Sequence, residues 1–234
     1  MSSDRPSDAP SPGPESVQPQ APAAAATPQA PDATSSEFSL ASLVRLRGAP
    51  LLQALEDHLA GSREHGEATA SYAFATAVEL RFDRSRSELV REATKLHDVG
   101  KLYVPAGLFG EDPASLSDAD RAQLDGEFEA AYRIAQGAGI AANVSDWIRR
   151  AGRRFDGAGG KGPAGEAIPI ESRIIRAACA CDRSLARSEG SAARENLGER
   201  RRKAIAELNR QAGSELDPRV VDALSEALKR ASPE

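Results

Sequence analysis

Apolar residues recur along this chain at helical rather than strand spacing. From Phe38 onward, Leu40, Leu43, Val44, Leu46, Leu51, Leu52, Leu55 and Leu59 follow a helical period, broken at Gly48-Ala49-Pro50. A second helix is predicted from about Arg63 to Leu80, carrying His65, Ala68, Tyr72, Ala75 and Val78, and a third from about Ser87 to His97. Ser117 suits an N-cap with Asp120 at the third helical position, opening a helix through Leu124, Phe128 and Ile134. Val144 to Arg150, with the single Trp147, reads as a short helix. Phe155 to Pro163 is a glycine-rich loop without period. Helix resumes near Ile170 with Arg173, Ile174, Ile175, Ala177 and Ala178, and again around Arg200–Arg210. The last helix is opened by Asp217-Pro218, an N-cap followed by proline at the first helical position. No repeat and no convincing strand is found, so the expected architecture is an all-α bundle.

Composition agrees. Aromatic residues are 4% of the 234, and alanine is abundant, which favours closely packed helices over a β-sandwich. Residues 1–36 hold eight of the fifteen prolines and no aromatic residue, and are expected to form a disordered Pro/Ala/Ser-rich tail before a helical domain over 37–234. The net charge of −5 argues against general nucleic-acid binding. No apolar run approaches the length of a membrane span. The first residues lack the basic start and apolar core of a secretory signal, and the two cysteines, Cys179 and Cys181, are too close for a C-x-x-C motif. The expectation is a cytoplasmic protein.

The most informative dipeptide is His97-Asp98. An imidazole and a carboxylate on adjacent residues can bind one metal ion together, and the carboxylate can bridge to a second. The sequence before it is helical and Gly100 suits a helix end, which places the pair in a last turn beside Lys101, a residue able to hold a phosphate. Taken alone, such a dipeptide is as readily a surface pair at a helix end.

Four separated stretches change that balance. His97-Asp98-Val99-Gly100-Lys101-Leu102-Tyr103-Val104-Pro105 resembles the HD-x-G-K-x-x-x-P segment of the HD-GYP subgroup of HD-domain metal-dependent phosphohydrolases. Phe155-Asp156-Gly157-Ala158-Gly159-Gly160 is similar to its W-D-G-x-G-Y-P loop, and Glu166 to Ile174 to its E-x-I-P-L-x-A-R-I stretch. Ala204 to Leu208, Ala212-Gly213 and Leu216 to Val221 resemble its A-x-x-E-L … G-x-x-F-D-P-x-V-V ending, and His65 lies 32 residues before His97, where the family places its first histidine. The resemblance runs in order over residues 60–230. It implies an all-α HD-domain fold around two or three metal ions and metal-dependent hydrolysis of cyclic di-GMP. It assigns His65, His97 and Asp98 as metal ligands and Lys101 as the phosphate contact, with Asp98 and Lys101 carrying the chemistry.

The same register removes other ligands. The family's His-His-Glu falls on Ala151, Gly152 and Arg153, and its intervening histidine falls near Glu127, a substitute metal ligand. Its closing aspartate falls on Cys179, which reads as a small apolar residue in an Ala-rich helix, with Asp182 three residues on as partial compensation. The tyrosine–proline of the loop is replaced at Gly160-Lys161. Three histidines in all, His58 included, are too few for an intact site of that kind. Arg149, Arg150, Arg153 and Arg154 cluster where ligands are missing. They read either as a solvated helix end or, through Arg150 and Arg153, as a phosphate-binding substitute for metal charge. The run Arg200 to Lys203, interleaved with glutamates, reads as a solvated face.

The leading expectation is therefore a degenerate HD-GYP-like domain. It binds cyclic di-GMP or another phosphodiester, or a protein partner in bacterial signalling, with one divalent ion of the Fe, Mn or Zn class or none. The alternatives are a working one-metal phosphohydrolase and a ligand-free scaffold.

Overall fold

The computed structural model describes residues 49–109, 111–112, 115–158, 160, 162–189 and 196–231. The tail expected over 1–36 and the leucines before Gly48 lie outside them. Among the described residues the chain forms nine α-helices and no strand. They are α1 (Ala49–His58), α2 (Ser62–Glu79), α3 (Arg84–Lys95), α4 (Asp118–Asp125), α5 (Glu127–Gly137), α6 (Ala142–Arg150), α7 (Ile170–Glu189), α8 (Leu197–Gln211) and α9 (Pro218–Arg230). The all-α expectation holds.

Local chemistry explains most boundaries. Asp83 caps α3 by accepting from the Arg86 amide at 2.8 Å. Ser117 and Asp120 form a reciprocal capping box on α4, and Asn196 and Glu199 do the same on α8. Asp217 caps α9, with Pro218 at its first position. The single helix expected through Leu124 and Phe128 is instead divided at Gly126, a poor helix former whose amide bonds back to Ala122 and whose carbonyl starts α5.

The long α2 packs against α3, α7 and α9. Its buried face is Ser62, Gly66, Thr69, Ala70, Ala73, Thr76 and Ala77, not the stripe expected through Ala68, Tyr72 and Val78, and Val78 is exposed. Small side chains win this face because three neighbouring helices must approach its backbone. The polar ones cost little, since Thr69 and Thr76 donate their hydroxyls to carbonyls one turn back.

Two apolar cores result, and α7 divides them. Ile174, Ala177, Ala178 and Cys181 face a core with Val90, Leu208, Val221 and Leu224, whereas Ile175 and Cys179 face one with Leu55, Leu102, Ile134 and Ile148. Two residues along a helix turn the side chain by about 200°, so the two cysteines have different surroundings. Arg173 forms a buried ion pair with Asp217, joining the third and fourth motif stretches, and Arg86 holds buried Glu171 at 2.6 Å and 2.9 Å.

The helix α3 ends at Lys95, so His97 and Asp98 lie beyond it, in the turn leading to a 3-10 helix at Val99–Tyr103. Gly100 is not a left-handed helix terminator. It sits within the 3-10 helix, beneath the first turn of α5, where a Cβ would collide with the Glu127 carbonyl oxygen. Gly100→Ala therefore requires backbone displacement. It is expected to cost about 3 kcal/mol, seen as a fall in Tm of about 6–12 °C. An unchanged Tm would show that this contact does not set the position of α5.

Candidate metal centre

His65 comes from the first turns of α2, His97 and Asp98 from the turn after α3, Lys101 from the 3-10 helix, Glu127 from the start of α5, and Cys179 from the middle of α7. All of them line one cleft of about 550 Å³, together with Leu124, Phe128, Ala151, Arg176 and Arg183. The structure thus brings together the predicted His65, His97, Asp98, Lys101 and Glu127. His58 does not line the cleft and bonds instead to the Val104 carbonyl at 2.9 Å.

Each imidazole is oriented from behind. His97 Nδ1 lies 2.6 Å from the Thr94 carbonyl oxygen. A carbonyl can only accept, so Nδ1 carries a proton, and Nε2 is the nitrogen that an ion can use once it gives up its own. His65 Nδ1 donates to Asp182 Oδ2 at 2.6 Å, which leaves its Nε2 facing inward. Asp182, expected as partial compensation for a ligand, does not line the cleft and instead orients His65. The pattern of an outer acceptor on one ring nitrogen and an inward donor on the other is that of metal-binding histidines.

The inward donors converge. His65, His97 and Cys179 each offer one donor atom, and these lie within 4.8 Å of one another. The Cys179 sulfur is 3.1 Å from His97 Nε2, and the imidazole rings are 5.3 Å apart. Asp98 stands beside both rings, with Oδ1 3.0 Å from His97 Nε2 and Oδ2 3.5 Å from His65 Nε2, and its Oδ2 also accepts from Lys101 Nζ at 2.7 Å. Cys179 was expected as packing in an Ala-rich helix, but its sulfur turns into the site. The helical register that sets Ile175 and Cys179 on one face was the available signal. Glu127 reaches the same cleft but is not among the three converging donors.

Charge in the cluster is strongly coupled. Asp182 raises His65 to about 9. Burial alone would lower His97 and raise Cys179, but His97 is raised well above its ordinary value by Asp98 and Cys179, and the Cys179 thiol is lowered by the two imidazoles. Burial pushes Glu127 up to about 7. Cys181, in its apolar surroundings, is pushed up to about 12 by burial.

The arginines lie elsewhere. Arg150 and Arg153 line a neighbouring cleft with Arg149, Glu129 and Pro163, which meets the first at Leu124 and Phe128. Arg149 and Arg150 each bond to Asp146 at 2.6 Å, Arg154 pairs with Asp156 and Glu215, and the Arg153 guanidinium covers Gly160 and Gly162. Ala151 lines the first cleft, and Phe128 fills the space in which any side chain at Gly152 would begin.

A helical bundle that presents two histidines, an aspartate and a thiol from three of its elements has the build of a metal-binding domain, and residues 50–220 match the family model of the HD domain. The chain belongs to the HD-domain family. It is 30% identical over 178 residues to the cyclic di-GMP phosphodiesterase response regulator RpfG of Xanthomonas campestris pv. campestris, covering 74% of this chain and 45% of that protein. The chain thus spans under half the length of that relative. Its fold is similar to that of the PgpH phosphodiesterase HD domain of L. monocytogenes in complex with cyclic-di-AMP (TM-score 0.54, 17% identity, 76% of this chain and 93% of that one). It is also similar to Bd1817, an HDG"Y"P protein of Bdellovibrio bacteriovorus (TM-score 0.56, 19% identity, 81% and 56%). A third similar structure is the cyclic GMP-AMP phosphodiesterase V-cGAP3 of V. cholerae (TM-score 0.59, 16% identity, 82% and 49%).

The His65–Asp182 contact has a testable pH signature. Because the folded value of about 9 lies above the ordinary 6.5, the protonated pair stabilises the metal-free protein fully below pH 6.5. That contribution is lost as pH rises through about 9. Metal binding needs the unprotonated ring, so affinity for an ion climbs over the same range. Asp182→Ala is expected to flatten the pH dependence of the metal-free Tm and to weaken metal binding about 10- to 100-fold in a calorimetric titration. Unchanged affinity would remove Asp182 from the positioning role.

Proposed function

We propose that this chain is a binding member of its family: it takes up a phosphodiester of the cyclic-dinucleotide class over a single metal ion and turns it over poorly or not at all. In this reading it acts as a regulatory module in bacterial signalling, through the bound nucleotide, a protein partner, or both. The observation that carries the proposal is the one-sidedness of the cleft. Its imidazoles, carboxylates and thiol are His65, His97, Asp98, Glu127 and Cys179, and apart from Ser62 and Gly61 the rest of the described lining is apolar or cationic. Where the family resemblance calls for further ligands stand the Ala151 methyl and Gly152, and the Phe128 ring occupies the space such a ligand would need. A two-metal clamp needs donors for both ions, and one set remains.

The cations favour an anionic ligand. Lys101 holds Asp98 and is placed to meet a phosphate oxygen, and Arg183 lines the cleft with no hydrogen bond or ion pair among the described residues. Arg176 is committed to the Gly152 and Glu215 carbonyls and to the Glu215 carboxylate, which fixes the wall. Beyond Phe128, Arg150 and Arg153 offer guanidinium groups to the far part of a ligand that spans both clefts. Any residual cleavage runs through Asp98 and Lys101.

Calorimetry with cyclic di-GMP and a hydrolysis assay with the metal-loaded chain test this reading. Saturable binding is expected, weakened about tenfold or more in Arg150→Ala and Arg153→Ala, with little or no product. Rapid hydrolysis that disappears in His97→Ala or Asp98→Ala would overturn the proposal in favour of a one-metal phosphohydrolase. Absence of heat with any cyclic dinucleotide would leave a scaffold without ligand.

A further inference from the structure

We infer that Cys179 is itself a metal ligand, and that its thiolate makes this a zinc-class centre held by His65, His97 and Cys179 rather than a site for manganese or magnesium. The inference rests on the proposed single ion and adds which ion it is and why.

The geometry selects this cysteine and not its neighbour. Cys179 projects from α7 between the two inward ring nitrogens, while Cys181 turns to the opposite core among Ala77, Leu208 and Leu224. Cys179 is 6% exposed and lines the cleft that both imidazoles line, so its sulfur is reached from that cleft. Ligation balances simply: the S–H bond breaks heterolytically, sulfur keeps the pair and donates it to the ion, and the proton leaves to solvent. Thr94 and Asp182 have already directed both rings inward, so the ion meets a set that needs little rearrangement.

The identity of the ion follows from the donors. Two imidazoles and a thiolate suit zinc, and cobalt as its spectroscopic substitute, whereas manganese and magnesium prefer carboxylate, carbonyl and water oxygens. By the family resemblance an aspartate belongs at this position of α7. Its exchange for sulfur moves the centre from hard towards soft, and among the described residues Asp98 is the single carboxylate within 3.5 Å of the ring nitrogens on the inward side.

Cobalt(II) substitution in the full chain tests this without reference to turnover. The expected spectrum has visible d–d bands together with a near-ultraviolet sulfur-to-cobalt charge-transfer band. Zinc should displace both sets of bands and manganese neither. In Cys179→Asp the d–d bands should survive, the charge-transfer band should be lost, and preference should shift towards manganese. In Cys181→Ala the full spectrum should remain. Cobalt bound with d–d bands but no charge-transfer band in the wild-type protein would overturn the role of Cys179 and leave the single-ion reading standing. Failure to bind either cobalt or zinc would overturn both. A charge-transfer band that survives Cys179→Asp and disappears in Cys181→Ala would overturn the assignment to Cys179. The wild-type and Cys181→Ala spectra decide the matter even if Cys179→Asp does not fold.

Discussion

Everything proposed for this protein depends on what holds the back of two imidazole rings. The Thr94 carbonyl accepts from His97 Nδ1 and the Asp182 carboxylate from His65 Nδ1, so both ε-nitrogens face one point beside Asp98 and Cys179. These contacts link four parts of the chain: α2, the end of α3, the turn after it, and α7. Gly100 adds the fifth by letting the 3-10 helix that carries Lys101 pass directly beneath α5 and bring Glu127 to the cleft. Apolar packing explains the helices. The placement of donor atoms follows from a few short polar contacts at their ends.

Much of the fold was legible because the periods of α2, α3, α7 and α9, and the caps at Ser117 and Asp217, are local signals. The centre was partly legible too, since His97-Asp98 is contiguous and His65 follows from the family resemblance. Other features depend on packing that sequence alone does not display. The buried face of α2 is small and mixed in polarity because three helices compete for its surface, so the apolar stripe through Val78 was misleading. Helical register sets Cys179 on one face with Ile175, but which partners that face meets is not a local signal, and the arrangement of α7 against α2 and the His97 turn brings the sulfur to the rings. Arg150 and Arg153 were close in sequence to missing ligands, yet their side chains line the adjacent cleft and Arg150 is held by Asp146.

The two clefts give the proposed function its logic. One holds the donors, and the other is lined by Arg149, Arg150 and Arg153 together with Asp125 and Glu129, with Leu124 and Phe128 between the two clefts. Phe128 has a double part, since its ring forms the boundary of both clefts and fills the space beside Gly152. In the proposed reading such a site would hold a phosphodiester with donors for one ion, since Ala151 and Gly152 offer none on the opposite wall. A thiolate at Cys179, where the family resemblance expects a carboxylate, would fit the same proposal by favouring a softer ion.

Because a single ion is the claim on which binding without efficient cleavage stands, the number of metal ions per chain tests the account most directly. The full chain, loaded with zinc or iron, passed through a desalting column and assayed for metal by mass spectrometry, is expected to retain one ion per chain, and none in His97→Ala. Retention of two or more ions per wild-type chain would contradict the account, because it would require donors opposite His65 and His97 that Ala151 and Gly152 do not supply.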